Sequence, residues 1–407
     1  EQMRGKGNPA HVVWLPPLVT PNSLDDFMPD LTVTKEYGLI SPRWRNAGAL
    51  VVPCALEDKP REQRRDVMAL NLAGAGGHVA VVGGPLSGKS MMLRSIVASL
   101  ALTHSPLEVQ FYVIDCGGGA FSSMDGLEHV SGIAAGNEDE KVRRTLAEVS
   151  GIIDARERFF KEQRIDGMDA YRRRRAEGKV DDGYGDVFLV IDGWGVFRGD
   201  YDELETKVQQ IVARGLTFGV HVLFSANRWM EIRANISDLI GTKLELRLGD
   251  PSDSQIDRHV ADTVPKGAPG RGLSANKLHT LAALPRIDGG HDAATVSDGI
   301  NDLIAKVRSA WQGHPHGPKL RLLPENLPYE AMMASVMRQK ASNQLAKGNM
   351  VVGIDENALS PVVFDFNTEP HCYLFGDAGS GKSTFLRVII NEIVRSYPDG
   401  KAKIFML

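Results

Sequence analysis

The chain has 407 residues, 43% of them hydrophobic, with 47 Lys plus Arg against 51 Asp plus Glu for a net charge of -4. That length predicts two or three domains with ample apolar content for soluble cores, and the balanced charge gives no support for a surface that coats DNA. No apolar run approaches the ~18 residues that a membrane helix needs. Cys54, Cys116 and Cys372 are too scattered to hold a metal and read as reduced thiols. The opening residue, Glu1, reads as the start of a fragment or processed product, and no signal peptide is recognisable.

Residues 1–46, rich in Pro, Asn and Asp, read as an extended lead-in packed on the module that follows. Short strands are expected at 47–52 and 67–72, joined by the charged turn 57–66 as an edge hairpin. Val79 to Val82 then forms an apolar, mostly β-branched run that ends in Gly83-Gly84-Pro85-Leu86-Ser87-Gly88-Lys89-Ser90-Met91, matching G-x-x-x-x-G-K-[ST]. A strand, a glycine loop and a helix in this order wrap backbone amides around phosphate oxygens beneath the positive end of the helix. The expected ligand is ATP with Mg²⁺: Lys89 would reach the β- and γ-phosphates and Ser90 would ligate the metal.

Met91 to Leu102 predicts a helix, Val109 to Ile114 a buried strand closing on Asp115, and 138–163 a long amphipathic helix. The run Arg172 to Arg175 could touch nucleic acid or acidic lipid, although short charge runs are more often solvated faces. Asp186-Val-Phe-Leu-Val-Ile-Asp192 has the Walker B form, a central strand whose terminal carboxylate holds the Mg²⁺ shell. Ring-forming ATPases carry a glutamate at the next position, where it polarises the attacking water. Here that residue is Gly193, so the module is expected to bind ATP and to hydrolyse it slowly or not at all. Asp115 is the fallback base, or else a turn cap.

The strand from Gly219 to Ala226 would, in a RecA-type sheet, insert between the phosphate-loop strand and the Asp192 strand. Asn227 at its tip is then a candidate γ-phosphate sensor, and asparagine is equally common in turns. Arg228 either reaches a neighbouring subunit's nucleotide or is a structural surface arginine. Strands are expected at 242–248 and 277–284 and a helix at 292–311. A Pro-rich linker, 313–328, follows, and its leucines predict docking rather than free motion.

A second glycine loop, Gly376-Asp377-Ala378-Gly379-Ser380-Gly381-Lys382-Ser383-Thr384, follows the expected strand Cys372 to Phe375. Lys89 and Lys382 lie 293 positions apart, the span of one large α/β domain plus a linker. The chain therefore reads as two nucleotide-binding modules in tandem, 47–312 and 329–407, with Ser383 a second Mg²⁺ ligand. Glycine at 379 stands where the first loop has Leu86. Lys403 to Leu407 corresponds to the strand Gln110 to Ile114, and no second Walker B follows, so this second module is expected to be incomplete and unable to hydrolyse ATP.

The paired loops, Asp115-Cys-Gly-Gly-Gly, Asp192-Gly-Trp and Ala226-Asn-Arg-Trp together resemble the FtsK/SpoIIIE class of motor ATPases, and more closely the EccC family of type VII (ESX) secretion systems. The resemblance implies a RecA-like α/β P-loop ATPase module with a central, mostly parallel sheet, followed by the truncated start of another. It implies a longer protein with a membrane-anchored N-terminal part and three ATPase modules, in which this chain is the second module and the opening of the third. The implied partners are the other ATPase modules and membrane subunits of the ESX complex and helical WXG-type substrates, within a ring or hexamer on the cytoplasmic side of the membrane. It also implies that Leu320 to Leu327 docks in a pocket of the first module. Nucleic acid is not an expected partner; the rival reading, a DNA-translocating motor of the same fold, requires fast DNA-stimulated turnover.

Overall fold

The computed structural model describes residues 15–324, 326–338, 348–356, 359–398 and 400–406. The first fourteen residues of the expected lead-in lie outside them. Two compact units divide at Leu320 and Arg321.

In the first unit the elements that position the site are, in chain order, β1 (Val51–Lys59), β2 (Arg64–Asn71), β3 (Val79–Val82), α1 (Lys89–Ala101), β4 (Val109–Asp115), β5 (Val130–Ala135), α2 (Asp139–Gln163), β6 (Asp186–Asp192), α3 (Trp194–Asp200), α4 (Asp202–Gly215), β7 (Val220–Ala226), β8 (Thr242–Leu246), β9 (Arg271–Leu273), β10 (His279–Ala282) and α5 (Val296–Ala310). The ten strands form one sheet in the order β2-β1-β10-β9-β8-β3-β7-β6-β4-β5. The strands from β8 to β5 run parallel, and the others continue the sheet antiparallel.

Strands buried on both faces need apolar residues at every position, which is why β3, β4, β6 and β7 read as continuous hydrophobic runs. Alternate residues feed opposite cores. Phe188 and Val190 of β6 pack on the side of α1 and α5, while Val187, Leu189 and Ile191 pack on the side of α2, α3 and α4. As expected for a RecA-type sheet, β7 lies between β3 and β6, and Asp115 pairs in register with Asp192.

Several boundaries depart from expectation. The segment 57–66 is not a long turn. Its charged residues extend β1 and β2 up to a tight reversal at Pro60 to Gln63, held by the cross-strand pairs Lys59–Asp66 and Arg65–Asp58 on an edge that faces water. The edge strand β5 carries too weak a pattern to be foreseen. The arginine run lies on the helix Met168–Ala176, where Arg172 is paired with Asp186 and Arg175 with Asp181, so those two cations are tied to the protein itself.

At the far end of the sheet His78 is held neutral. Its Nδ1 accepts from the Val222 amide (3.0 Å) and its Nε2 donates to the Val212 carbonyl (2.9 Å). Burial, helped by nearby His221, lowers its pKa from 6.5 to about 4, and burial does the same to His129. Folding therefore resists protonation that the unfolded chain accepts: this stability is complete above pH 6.5 and is lost as the pH falls from there toward 4. Denaturant unfolding across that window should show a loss of order 3 kcal/mol for each histidine.

The second unit contains α6 (Tyr329–Arg338), the hairpin of β11 (Asn349–Ile354) with β12 (Pro361–Asp365), and α7 (Lys382–Ser396). Glu392 of α7 is fully buried and accepts from the Val351 amide (2.7 Å), the Tyr329 hydroxyl and Arg395, tying the three layers together. The strands expected at 372–375 and 403–406 are not formed, and residue 407 lies outside the described residues. In the first unit the matching strands, β3 and β4, are separated by β7 and β6. Among the described residues of 321–407 nothing corresponds to those two, the segments 372–375 and 403–406 have no ladder partners there, and Tyr373, Phe375 and Phe405 are exposed.

The linker also differs from expectation. Leu320 docks on the first unit, donating its amide to the Ser131 carbonyl (2.8 Å) with its side chain against Gly132, but Leu327 packs with the Met332 and Val351 cluster of the second unit.

Candidate nucleotide-binding site

The first glycine loop is pinned where it leaves β3. The Gly83 amide donates to the Ala226 carbonyl of β7 (3.1 Å) and the Gly84 amide to the Arg247 carbonyl beyond β8 (2.8 Å). A Cβ at Gly83 would lie 2.5 Å from Ser87 Oγ, so only glycine lets the loop close this tightly. Gly88, at φ +99°, starts α1, and a Cβ there would sit 2.8 Å from the Gly270 nitrogen. Gly270 in turn donates to the Ser87 carbonyl (2.8 Å). The first-turn amides of α1, at Lys89, Ser90 and Met91, have no helical acceptor and point their donors at the hollow under the loop.

Pro85 and Leu86 form the loop's tip. Leu86 adopts φ +58° and is 92% exposed; its counterpart Gly379 adopts φ +80° at no steric cost. Leu86→Gly should accordingly raise the stability of the nucleotide-free chain by about 0.5 to 1 kcal/mol, the relief of left-handed strain less the entropy of an added glycine, readable by thermal denaturation.

Lys89 Nζ donates to the Gly84 carbonyl (2.8 Å), and burial lowers its pKa against the opposing pull of Asp192 and Glu231. Asp192 is 1% exposed. One carboxylate oxygen accepts from Ser225, and the other, Oδ2, makes no hydrogen bond among the described residues, with the Ser90 hydroxyl nearby. Burial raises its pKa, while Ser225 and Ser90 favour the ionised form. A buried carboxylate with an orphan oxygen, facing a serine hydroxyl at a helix start, is a hard-oxygen donor set that Mg²⁺ shares with phosphate. These residues fit the Mg²⁺–ATP expected of them: Ser90 and Asp192 would hold the metal, Lys89 and the loop amides the phosphates.

Asp115 sits beside Asp192 but is committed elsewhere. Its Oδ1 accepts from the amides of Gly117 (3.1 Å) and Gly119 (3.2 Å), and its Oδ2 from that of Phe121 (2.8 Å). The carboxylate anchors the Gly117–Gly119 loop, the capping role that was the alternative to a fallback base. Gly193 has φ +86°, and a Cβ there would meet backbone atoms of Cys116 and Gly117 at 2.9–3.0 Å; its amide donates to Ser225 Oγ (2.7 Å). Asn227 lies at the tip of β7 with its side chain unbonded among the described residues. Arg228 is clamped on Asp253 (2.7 and 3.2 Å).

Two site residues escaped sequence reasoning. Ser225 orients Asp192, and Glu231 folds back so that its Oε2 accepts from the Asn227 amide (3.0 Å). A serine in a buried strand next to an acid was the available signal for the first.

The second loop repeats the geometry. Gly379 and Gly381 take positive φ, a Cβ at Gly376 would lie 2.5 Å from Ser380 Oγ, and Lys382 Nζ donates to the Gly376 carbonyl (2.7 Å). Asp377 and Ala378 complete its turn, and Ser383 and Thr384 begin α7. Among the described residues of 321–407 no strand matching β6 is present to carry an acid toward Ser383 as Asp192 faces Ser90.

A glycine loop opening a helix, a lysine folded beneath it and a buried strand-end aspartate two strands away define a RecA-like P-loop ATPase module. The chain belongs to the FtsK/SpoIIIE family, whose model matches residues 53–288, and residues 348–407 match the central domain of helicase HerA. The ESX secretion system protein EccC of Thermomonospora curvata is 46% identical over all 407 residues, and the chain spans 30% of that protein's length. The ESX-1 secretion system protein EccCb1 of Mycobacterium tuberculosis is 37% identical over 387 residues, 94% of this chain and 62% of that protein. The solved structure of T. curvata EccC (ATPases 2 and 3) in complex with a signal sequence peptide superposes with a TM-score of 0.86 at 46% identity, covering 94% of this chain and 68% of that one.

Proposed function

We propose that this chain is the second ATPase module, 47–312, and the opening of the third, 329–407, of an EccC-type protein in a type VII (ESX) secretion machine. The first module holds ATP–Mg²⁺ through Gly83 to Met91 and Asp192 and turns it over very slowly, so that the nucleotide stabilises and regulates rather than drives. The second loop, Gly376 to Thr384, holds phosphate once a complete sheet surrounds it. The partners are the neighbouring ATPase modules and membrane subunits of the complex and exported WXG-type proteins, with the chain on the cytoplasmic side in a ring or hexamer. Among the described residues no helix is long and apolar enough to cross a membrane.

The observation that carries this reading is the pairing of a complete Lys89, Ser90 and Asp192 set with Gly193 in the water-activating position. The test is calorimetric binding of ATP together with phosphate release by the full chain. Tight, Mg²⁺-dependent binding abolished by Lys89→Ala is expected, with turnover below about 0.01 s⁻¹ against roughly 1–10³ s⁻¹ for ordinary enzymes. Absence of binding, or brisk DNA-stimulated turnover, would overturn it.

A further inference from the structure

We propose that Glu231 is the carboxylate that meets the γ-phosphate in this module and accepts the proton of the attacking water, from the tip of β7 instead of the tip of β6. The inference rests on the ATP-binding reading above and adds to it the source of the residual turnover.

The placement follows from the strand order. β7 runs between β3 and β6, and the Gly83 amide donates to the Ala226 carbonyl (3.1 Å), so the tip of β7 abuts the first residue of the glycine loop. The turn after Asn227 then doubles back. The Asn227 amide donates to Glu231 Oε2 (3.0 Å), and the Trp194 indole donates to the Glu231 carbonyl (3.1 Å). On the other side, a Cβ built at Gly195 would lie 2.8 Å from Glu231 Oε2 and 3.4 Å from Oε1. The carboxylate is therefore wedged between the tip of β7 and the first turn of α3, just beyond Asp192. Oε1 accepts no hydrogen bond among the described residues. Asp192 is the metal-side acid and Asp115 has both oxygens on backbone amides, so Glu231 is left as the acid with an oxygen to offer.

In the step itself the water oxygen bonds to the γ-phosphorus as the bond to the β,γ-bridging oxygen breaks, its electron pair leaving on ADP. The water proton passes to Glu231 Oε1 and from there to solvent. No further reactant is needed.

The test compares the full chain with Glu231→Gln, which keeps an acceptor for the Asn227 amide; matching thermal denaturation checks that it folds. In single-turnover assays with chain in excess over ATP, phosphate release should be measurable in the parent and at least about tenfold slower in the variant. Equilibrium binding supplies an independent readout: removing a negative charge beside the γ-phosphate should tighten ATP about three- to tenfold and leave ADP unchanged. Equal release rates, an equal ATP-to-ADP ratio, or no release by the parent above protein-free ATP would each overturn the role of Glu231 while leaving nucleotide binding intact. Failure of the parent to bind ATP at all would instead sink the reading on which the inference rests.

Discussion

Gly193→Glu is expected to destabilise the first module and to leave its ATP turnover where it was. Restoring a Walker B glutamate by sequence logic ignores the backbone: Gly193 sits at φ +86°, and any Cβ there meets the Cys116 carbonyl carbon and oxygen and the Gly117 nitrogen at 2.9–3.0 Å. Those are main-chain atoms, held by the Cys116 amide on the Asp192 carbonyl (2.9 Å), and they cannot swing aside. Left-handed strain plus this collision should cost about 3 kcal/mol or more, lowering the thermal midpoint by roughly 4 to 5 °C or more for a unit of this size. The same scan on Gly193→Ala separates the causes. Because the collision begins at Cβ, alanine should suffer most of the loss; an alanine variant as stable as the parent would refute the steric account. The missing base is thus built into the packing of the Gly117–Gly119 loop, which Asp115 anchors, and is not a single reversible substitution.

Asp192→Asn should move two properties in opposite directions. Without ligand, the parent buries a carboxylate whose Oδ2 makes no hydrogen bond among the described residues and whose pKa is raised chiefly by that burial. A raised carboxyl favours folding in its protonated form, so its contribution is present at low pH and is lost as the pH climbs from the ordinary carboxylate value through the raised one. At neutral pH the charge opposes folding, and the neutral amide should stabilise the ligand-free chain by about 1 kcal/mol while flattening that part of the pH profile. Mg²⁺-dependent ATP affinity should fall about 10- to 100-fold, since a carboxylate that positions the metal shell is gone. Calorimetry with and without Mg²⁺ reads the second effect and denaturant unfolding the first. A variant that is less stable and binds Mg²⁺–ATP as the parent does would contradict the assignment of Asp192.

Much of this architecture is legible in the residues alone because its determinants are local. A doubly buried parallel strand must be apolar throughout, so β3, β4, β6 and β7 announce themselves as runs, and the glycine at 83 is demanded by a close approach to Ser87, four residues on, whereas the one at 88 also makes room for Gly270. The two loops, Lys89, Asp192 and the insertion of β7 beside β3 all follow from such signals. So does the absence of a carboxylate at 193.

What each acid does was decided only by the folded chain. Sequence points to Asp115 alone and passes over Glu231; three amides of its own loop occupy the first, while a turn after β7 brings the second back to the strand tip. The strands expected at 372–375 and 403–406 failed for a related reason. A run of apolar residues carries the propensity for a strand, but the ladder needs neighbours that are distant in sequence, and among the described residues of 321–407 the two strands that would stand between them are absent. Short-range geometry is written in residue type, whereas pairing and side-chain commitment depend on which distant segments meet, and that is set by tertiary structure.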